Sequence, residues 1–190
     1  MNTVITQFKN NSEVSSDVFT SFARRRRLFI TGFIEDKQAT DISATLIKLF
    51  YTGPKELISL HINSDGGNIR NVLQVYDTMK FIRCPIETIC SGDAMEESVL
   101  LLAAGTPGHR FITKNSSVCI SSLSFGSQRH DDLVNTKIHV DQVEEDNACA
   151  MKILAKCTKK PLNILKQDCQ RKLFMNAISA KKYGIVDGII

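Results

Sequence analysis

The stretch Ile89 to Gly105 (ICSGDAMEESVLLLAAG) constrains this chain more than any other. Pro85 to Cys90 is an apolar, Cys-ended run suited to a buried strand, and a Gly-containing turn follows it. The next segment is rich in Ala and Leu with no polar face, which makes it a buried helix, closed by Gly105 where a helix C-terminus favours glycine. Strand, sharp turn, helix start is the layout in which hydrolases with an elbow-type nucleophile hold it. Backbone N–H groups and the positive helix end there stabilise an oxyanion. In this chain the turn carries Glu96 and Glu97 instead of a serine between small residues.

The 190 residues are enough for one domain with a real core and hardly enough for two. The net charge of +4 is mild, and the run Arg24 to Arg27 has no aromatic interleaving. It is therefore expected to be a solvated approach to the first strand, not a nucleic-acid surface. The longest apolar run, Val99 to Ala104, is far short of a membrane span, so no membrane partner is expected. The N-terminal residues are polar and lack the charged-then-apolar plan of a secretory signal. None of the cysteines at 84, 90, 119, 149, 157 and 169 forms a CxxC pair. They are expected to be reduced thiols, with no metal site and no cofactor.

Residues 1–16 are rich in Asn, Ser and Thr and predict a mobile arm. Strands are expected at Arg27 to Ile34, Leu57 to Ile62, Ile86 to Cys90, Arg110 to Thr113 and Ser117 to Ser122. Helices are expected to follow Asp17, to open at Asp36, and to run from about Asn68 to Ile82 and from Thr136 to Cys157. Shorter ones are expected near Leu162 to Lys172 and Ser179 to Tyr183. Strand–helix repeats with short connections make this an α/β chain with right-handed crossovers, followed by a helical C-terminal third.

The motifs Asn63-Ser-Asp-Gly-Gly67, Val75-Tyr-Asp-Thr-Met79, Leu101-Leu-Ala-Ala-Gly105 and Asn115-Ser116, in this order, resemble the proteolytic subunit of the Clp protease. Phe174-Met-Asn-Ala and Tyr183-Gly-Ile-Val-Asp187 extend the resemblance to the C-terminus. It implies a crotonase-like (ClpP-like) β/α superhelix over residues 17–190, preceded by a flexible axial arm over 1–16 that gates access. A long protruding handle helix is implied within about 124–157, through which two heptameric rings face each other.

Carried over residue by residue, the resemblance places the nucleophilic serine on Glu96, the histidine base on Ser121 and the aspartate on Asp168, which alone is retained. A hydroxyl is a poor nucleophile unless a base within hydrogen-bond reach takes its proton, and serine is no such base near neutral pH. The oxyanion-hole donors would be the backbone N–H groups of Gly67 and Glu97, yet Asp65, Glu96 and Glu97 would crowd negative charge around them. At an effective dielectric of about 20, two such charges roughly 4 Å apart oppose each other by about 4 kcal/mol. The chain thus resembles the inactive ClpR-type subunits: a non-catalytic serine-protease homologue within an ATP-dependent Clp protease. Asp168, left without its histidine, is expected in a structural role such as a surface salt bridge.

Two other readings compete. The first is a relocated nucleophile, Ser98, with His130 swinging in as base. Ser98 lies two residues beyond Glu96, however, which points its side chain away. His61, His109 and His139 do not fall in the expected base position either. The second is crotonase-like acyl-CoA binding, which fold alone does not grant. Glu96 and Glu97 as an acid/base pair are disfavoured too, since adjacent turn residues point in different directions and a solvated or salt-bridged fate is expected.

The resemblance implies further partners: an active ClpP subunit, a heptameric ring, and a Clp ATPase chaperone docking on an apical pocket. The pocket positions are Ser59, His61, Phe81 and Phe111, and the first two replace aromatic walls, so weakened docking is expected. The segment Ser124 to Asp132 before the handle lacks the glycine richness of active subunits, so impaired ring stacking is expected. The plastid habit of such subunits implies an apicoplast or chloroplast stroma, any targeting segment lying outside these 190 residues.

Overall fold

The computed structural model describes residues 4–9, 12–122 and 133–190, with residues 4–9, 12–16, 133 and 134 described by backbone alone. Of the expectations above, His130 and the segment Ser124 to Asp132 lie outside the described residues. Where an irregular arm was expected, β1 (Val4–Lys9) and β2 (Ser12–Asp17) pair antiparallel, Val4 opposite Asp17 and Lys9 opposite Ser12. β2 (SEVSSD) carries Val14 as its one apolar residue, so it offers no apolar alternation for sequence reading to detect.

Asp17 then caps α1 (Val18–Arg24), its carboxylate accepting from the Thr20 N–H at 2.9 Å. The parallel core follows: β3 (Arg27–Ile34), α2 (Asp36–Thr52), β4 (Ile58–Gly67), α3 (Ile69–Phe81) and β5 (Ile86–Met95). Next come α4 (Ser98–Ala103), β6 (Arg110–Ile112) and β7 (Ser117–Ile120). The sheet order is β3-β4-β5-β6, with β7 also pairing β5. All of these pairings are parallel, as strand–helix–strand units with buried faces require. One face of the strands carries Ile30, Ile58, Leu60, Ile62 and Ile112, all fully buried. Every residue of α4 is buried as well, as the apolar run Val99 to Ala103 demands.

Two strands exceed their expected ends, and both overshoots build the site. β4 continues through Asn63 to Gly67, and β5 through Gly92 to Met95. The first half of β5 pairs with β6 (Cys90 opposite Ile112) and its second half with β7 (Met95 opposite Cys119). The bend between the halves lies at Gly92, whose φ of 105° is open to glycine at little cost. Side chains pin it: the Gly92 N–H donates to Ser116 Oγ and the Asp93 N–H to Asn63 Oδ1, each at 2.9 Å.

The C-terminal third holds α5 (Leu133–Thr158), α6 (Leu162–Asp168), β8 (Leu173–Asn176), α7 (Ala177–Tyr183) and β9 (Gly188–Ile189). α5 presents Ala150, Met151 and Leu154 to the core, while Ile138 and Val140 farther along are exposed. Arg70 at the start of α3 grips its Asp146 at 2.5 Å. The helix expected to reach Lys172 stops at Asp168, because the chain must then extend to pair β8 antiparallel with β7.

The arginine run differs from expectation. Arg26 has a left-handed φ of 62° and only 13% of its side chain exposed. Its guanidinium donates to the carbonyls of Leu49, Gly53, Glu56 and Leu57, closing the C-terminal end of α2. Arg24, Arg25 and Arg27 are exposed.

Candidate functional site

The site forms where β4, β5 and β7 end together. At the β5–α4 turn Glu96 adopts φ 51°, a left-handed conformation that a non-glycine residue reaches only under constraint. The constraint is visible: the Glu96 N–H donates to the Cys119 carbonyl of β7 at 2.8 Å. The strand–elbow–helix geometry inferred from Ile89 to Gly105 is therefore present, with a glutamate at its apex.

The two glutamates diverge. Glu96 runs toward the α6–β8 loop, where Lys172 Nζ lies 2.7 Å from Oε1. That contact raises the lysine pKa above its ordinary value. Glu97 turns inward, and its Oε2 accepts from the Gly67 N–H at 3.2 Å. Burial pushes the Glu97 carboxyl above its usual range, while its own N–H and that of Gly67 pull the other way. Glu96 adds repulsion and Lys172 attraction. The expected crowding of three carboxylates is thus resolved locally: Lys172 pairs with Glu96, backbone donors face Glu97, and Asp65 is exposed.

Ser121 and Glu96 line one cleft together with Ser122, Cys169, Arg171 and Lys172. On the other side they border a smaller cavity walled by Leu100 and Ile120 and by Ala150, Met151 and Leu154 of α5. Asp168 stands next to Cys169, whose carbonyl receives the Ser122 N–H at 2.9 Å. The structure therefore brings Glu96 and Ser121 together and sets Asp168 just behind their cleft. Asp168 forms no salt bridge among those described; it accepts from the Tyr183 hydroxyl at 2.7 Å instead. Burial and that carboxylate drive the Tyr183 pKa far upward.

Ser98 is fully buried, and its hydroxyl reaches the carbonyls of Met95 at 2.7 Å and Ser64 at 3.3 Å. It acts as a donor inside the fold, with no open face toward the cleft. His61 is on the opposite side of the sheet, stacked on Phe29 at 4.8 Å between ring centroids. Sequence reasoning missed Lys172 and Tyr183. Both act on groups distant in the chain, and no local spacing announces such a pair.

On the outer face the register sets His61 of β4 beside Ile89 of β5 and Ile89 beside Phe111 of β6. Ser59 lies on the same face and donates to Glu87 at 2.7 Å. Phe81, at the end of α3, is 65% exposed. Burial and the Arg27 charge push the His61 imidazole below its ordinary pKa, with Glu87 opposing them. Among the described residues no helix is long and apolar enough to cross a membrane, and no cluster of His, Cys, Asp or Glu is disposed to hold a metal ion.

A family model described as Clp protease matches residues 10–190.

Proposed function

This chain belongs to the Clp protease family, and from that premise we propose that it is a non-catalytic, structural and regulatory subunit of an ATP-dependent Clp protease. One observation carries the reading. The apex of the elbow holds Glu96 ion-paired to Lys172, and the residue facing it across the cleft is Ser121. A glutamate offers no activated hydroxyl, and serine accepts no proton near neutral pH. The scaffold that positions a nucleophile is retained while the groups that perform the chemistry are absent from their places.

Members of this family assemble into ring oligomers. In this reading the chain joins or forms a heptameric ring beside an active ClpP subunit, in a plastid. Residues 1–16 stand at the axial opening. It docks a Clp ATPase weakly, because Ser59 is tied to Glu87 and His61 is stacked on Phe29 where aromatic walls would receive an apolar loop.

A fluorogenic peptide assay tests the reading. The purified chain is expected to show no turnover and to take up no serine-directed fluorophosphonate label. Labelling of the chain, at Ser98 or any other serine, overturns it. An acyl-CoA thioester is expected to give no thermal shift, and saturable stabilisation by one would favour the crotonase-like reading.

A further inference from the structure

Resting on the non-catalytic reading, we propose that Glu97 is a built-in occupant of the oxyanion position, an autoinhibitory contact separate from the loss of serine and histidine. A working site of this kind keeps its N–H donors free until charge develops on the substrate. Here the Gly67 N–H already donates to the Glu97 carboxylate at 3.2 Å. The sheet does not compete for that donor: the Asn68 N–H, one residue on, bonds the Ile34 carbonyl of β3 at 3.3 Å.

The surroundings are shaped for the carboxylate. Gly66 has φ 115°, and a Cβ added there would lie 2.7 Å from Glu97 Oε2, so the side chain packs directly on the bare glycine backbone. Gly67 is equally confined on its other side by Ile34. Among the described residues, the cation that acts on Glu97, Lys172, is engaged by Glu96, and the Glu97 carboxyl is met by the Gly67 N–H. The cavity beside it is lined by Val99 and Leu100 of α4 and by Ala150, Met151 and Leu154 of α5, with Glu96 and Ser121 also on its wall. A carboxyl of the chain's own therefore sits where a substrate's anion would have to form.

The consequence is specific. Restoring serine and histidine leaves the hole filled, so Glu96→Ser with Ser121→His is expected to stay nearly inactive. Adding Glu97→Ala keeps the backbone N–H and removes the occupant. Turnover is then expected to rise by about 100-fold or more, the scale on which one oxyanion donor acts. Equal, measurable turnover of the two variants overturns the proposal.

Amide hydrogen exchange at Gly67, measured on the full chain, gives a readout independent of catalysis. Exchange is expected to be roughly tenfold faster in Glu97→Ala than in the wild type. It should rise severalfold in Glu97→Gln, whose neutral oxygen is a weaker acceptor. Unchanged exchange overturns the proposal, and the Gln variant alone decides it if the Ala variant does not fold. Should neither restored variant turn over, exchange decides by itself. Fluorophosphonate labelling of the wild type would defeat the non-catalytic reading and leave the Gly67 result standing.

Discussion

At the C-terminal junction, Arg110 is buried and its guanidinium is met on every side. Nε and Nη2 reach the two oxygens of Asp187 at 2.9 and 2.5 Å, while Nη1 donates to the carbonyls of Gly184 and Cys157 at 3.0 and 3.1 Å. The N–H groups of Gly108 and Arg110 complete the Asp187 carboxylate. At the elbow, Glu97 is also withdrawn from water, but it faces backbone donors and a second carboxylate, and Lys172, the cation that acts on it among the described residues, is shared with Glu96. The pKa directions record the contrast: Asp187 is held below its ordinary value, chiefly by the Arg110 hydrogen bond, and Glu97 is pushed above. Withdrawing a charge stabilises a fold where a full partner set awaits it and costs stability where the set is partial.

The largest expected effect is at the well-partnered end. Arg110 links the ends of α4, α5 and α7 to the segment before β9, so Arg110→Ala removes one guanidinium and orphans several acceptors together. A loss of about 3–5 kcal/mol is expected, the range for breaking a buried pair by removing one partner. Urea unfolding measures it. A loss below about 1 kcal/mol would show that the two regions do not differ in the way argued.

The second test uses pH. Asp187 has a folded pKa below its unfolded value near 3.8, so its stabilising contribution is full above that value and disappears as pH falls through the folded one. Asp187→Asn is therefore expected to be less stable than the wild type at neutral pH, with the gap closing below about pH 4. Thermal melts from pH 7 downward check it, and a gap that persists undiminished at the acid end assigns the effect to packing.

The same contrast explains what the sequence could and could not reveal. β3, α2, β4 and α3 were legible because their burial follows simple periods: Ile58, Leu60 and Ile62 alternate, and Val72, Val75 and Met79 recur at helical spacing. The elbow was legible because strand, glycine and apolar helix are adjacent in the chain. β8 and β9 were not, since Leu173–Asn176 and Gly188–Ile189 are too short to carry a period and exist only through their partners. Arg26 escaped because a left-handed backbone turns it away from three neighbours of the same type. Lys172 on Glu96, Tyr183 on Asp168 and the inward turn of Glu97 are all pairings across the fold. Composition specifies the charges available, and only the backbone path decides which meet.

The smallest expected effect has the opposite sign. Because the Glu97 pKa is raised, the folded state binds its proton more tightly than the unfolded state. The unfavourable contribution is then absent below the unfolded value near 4.5 and grows as pH rises to the folded one, above which it is constant. Glu97→Gln keeps an oxygen for the Gly67 N–H and discards the charge, so at neutral pH it is expected to stabilise the chain slightly. The advantage should vanish below about pH 4.5. Lys172→Met should do the reverse: it leaves Glu96 without its Lys172 contact beside Glu97, and its cost is small because the lysine is 62% exposed and solvent screens the pair. Paired melts at pH 7 and pH 4 separate the two. If Glu97→Gln destabilises at pH 7 as much as at pH 4, the carboxylate's contact with Gly67 outweighs its desolvation, and the elbow belongs with the Arg110 junction after all.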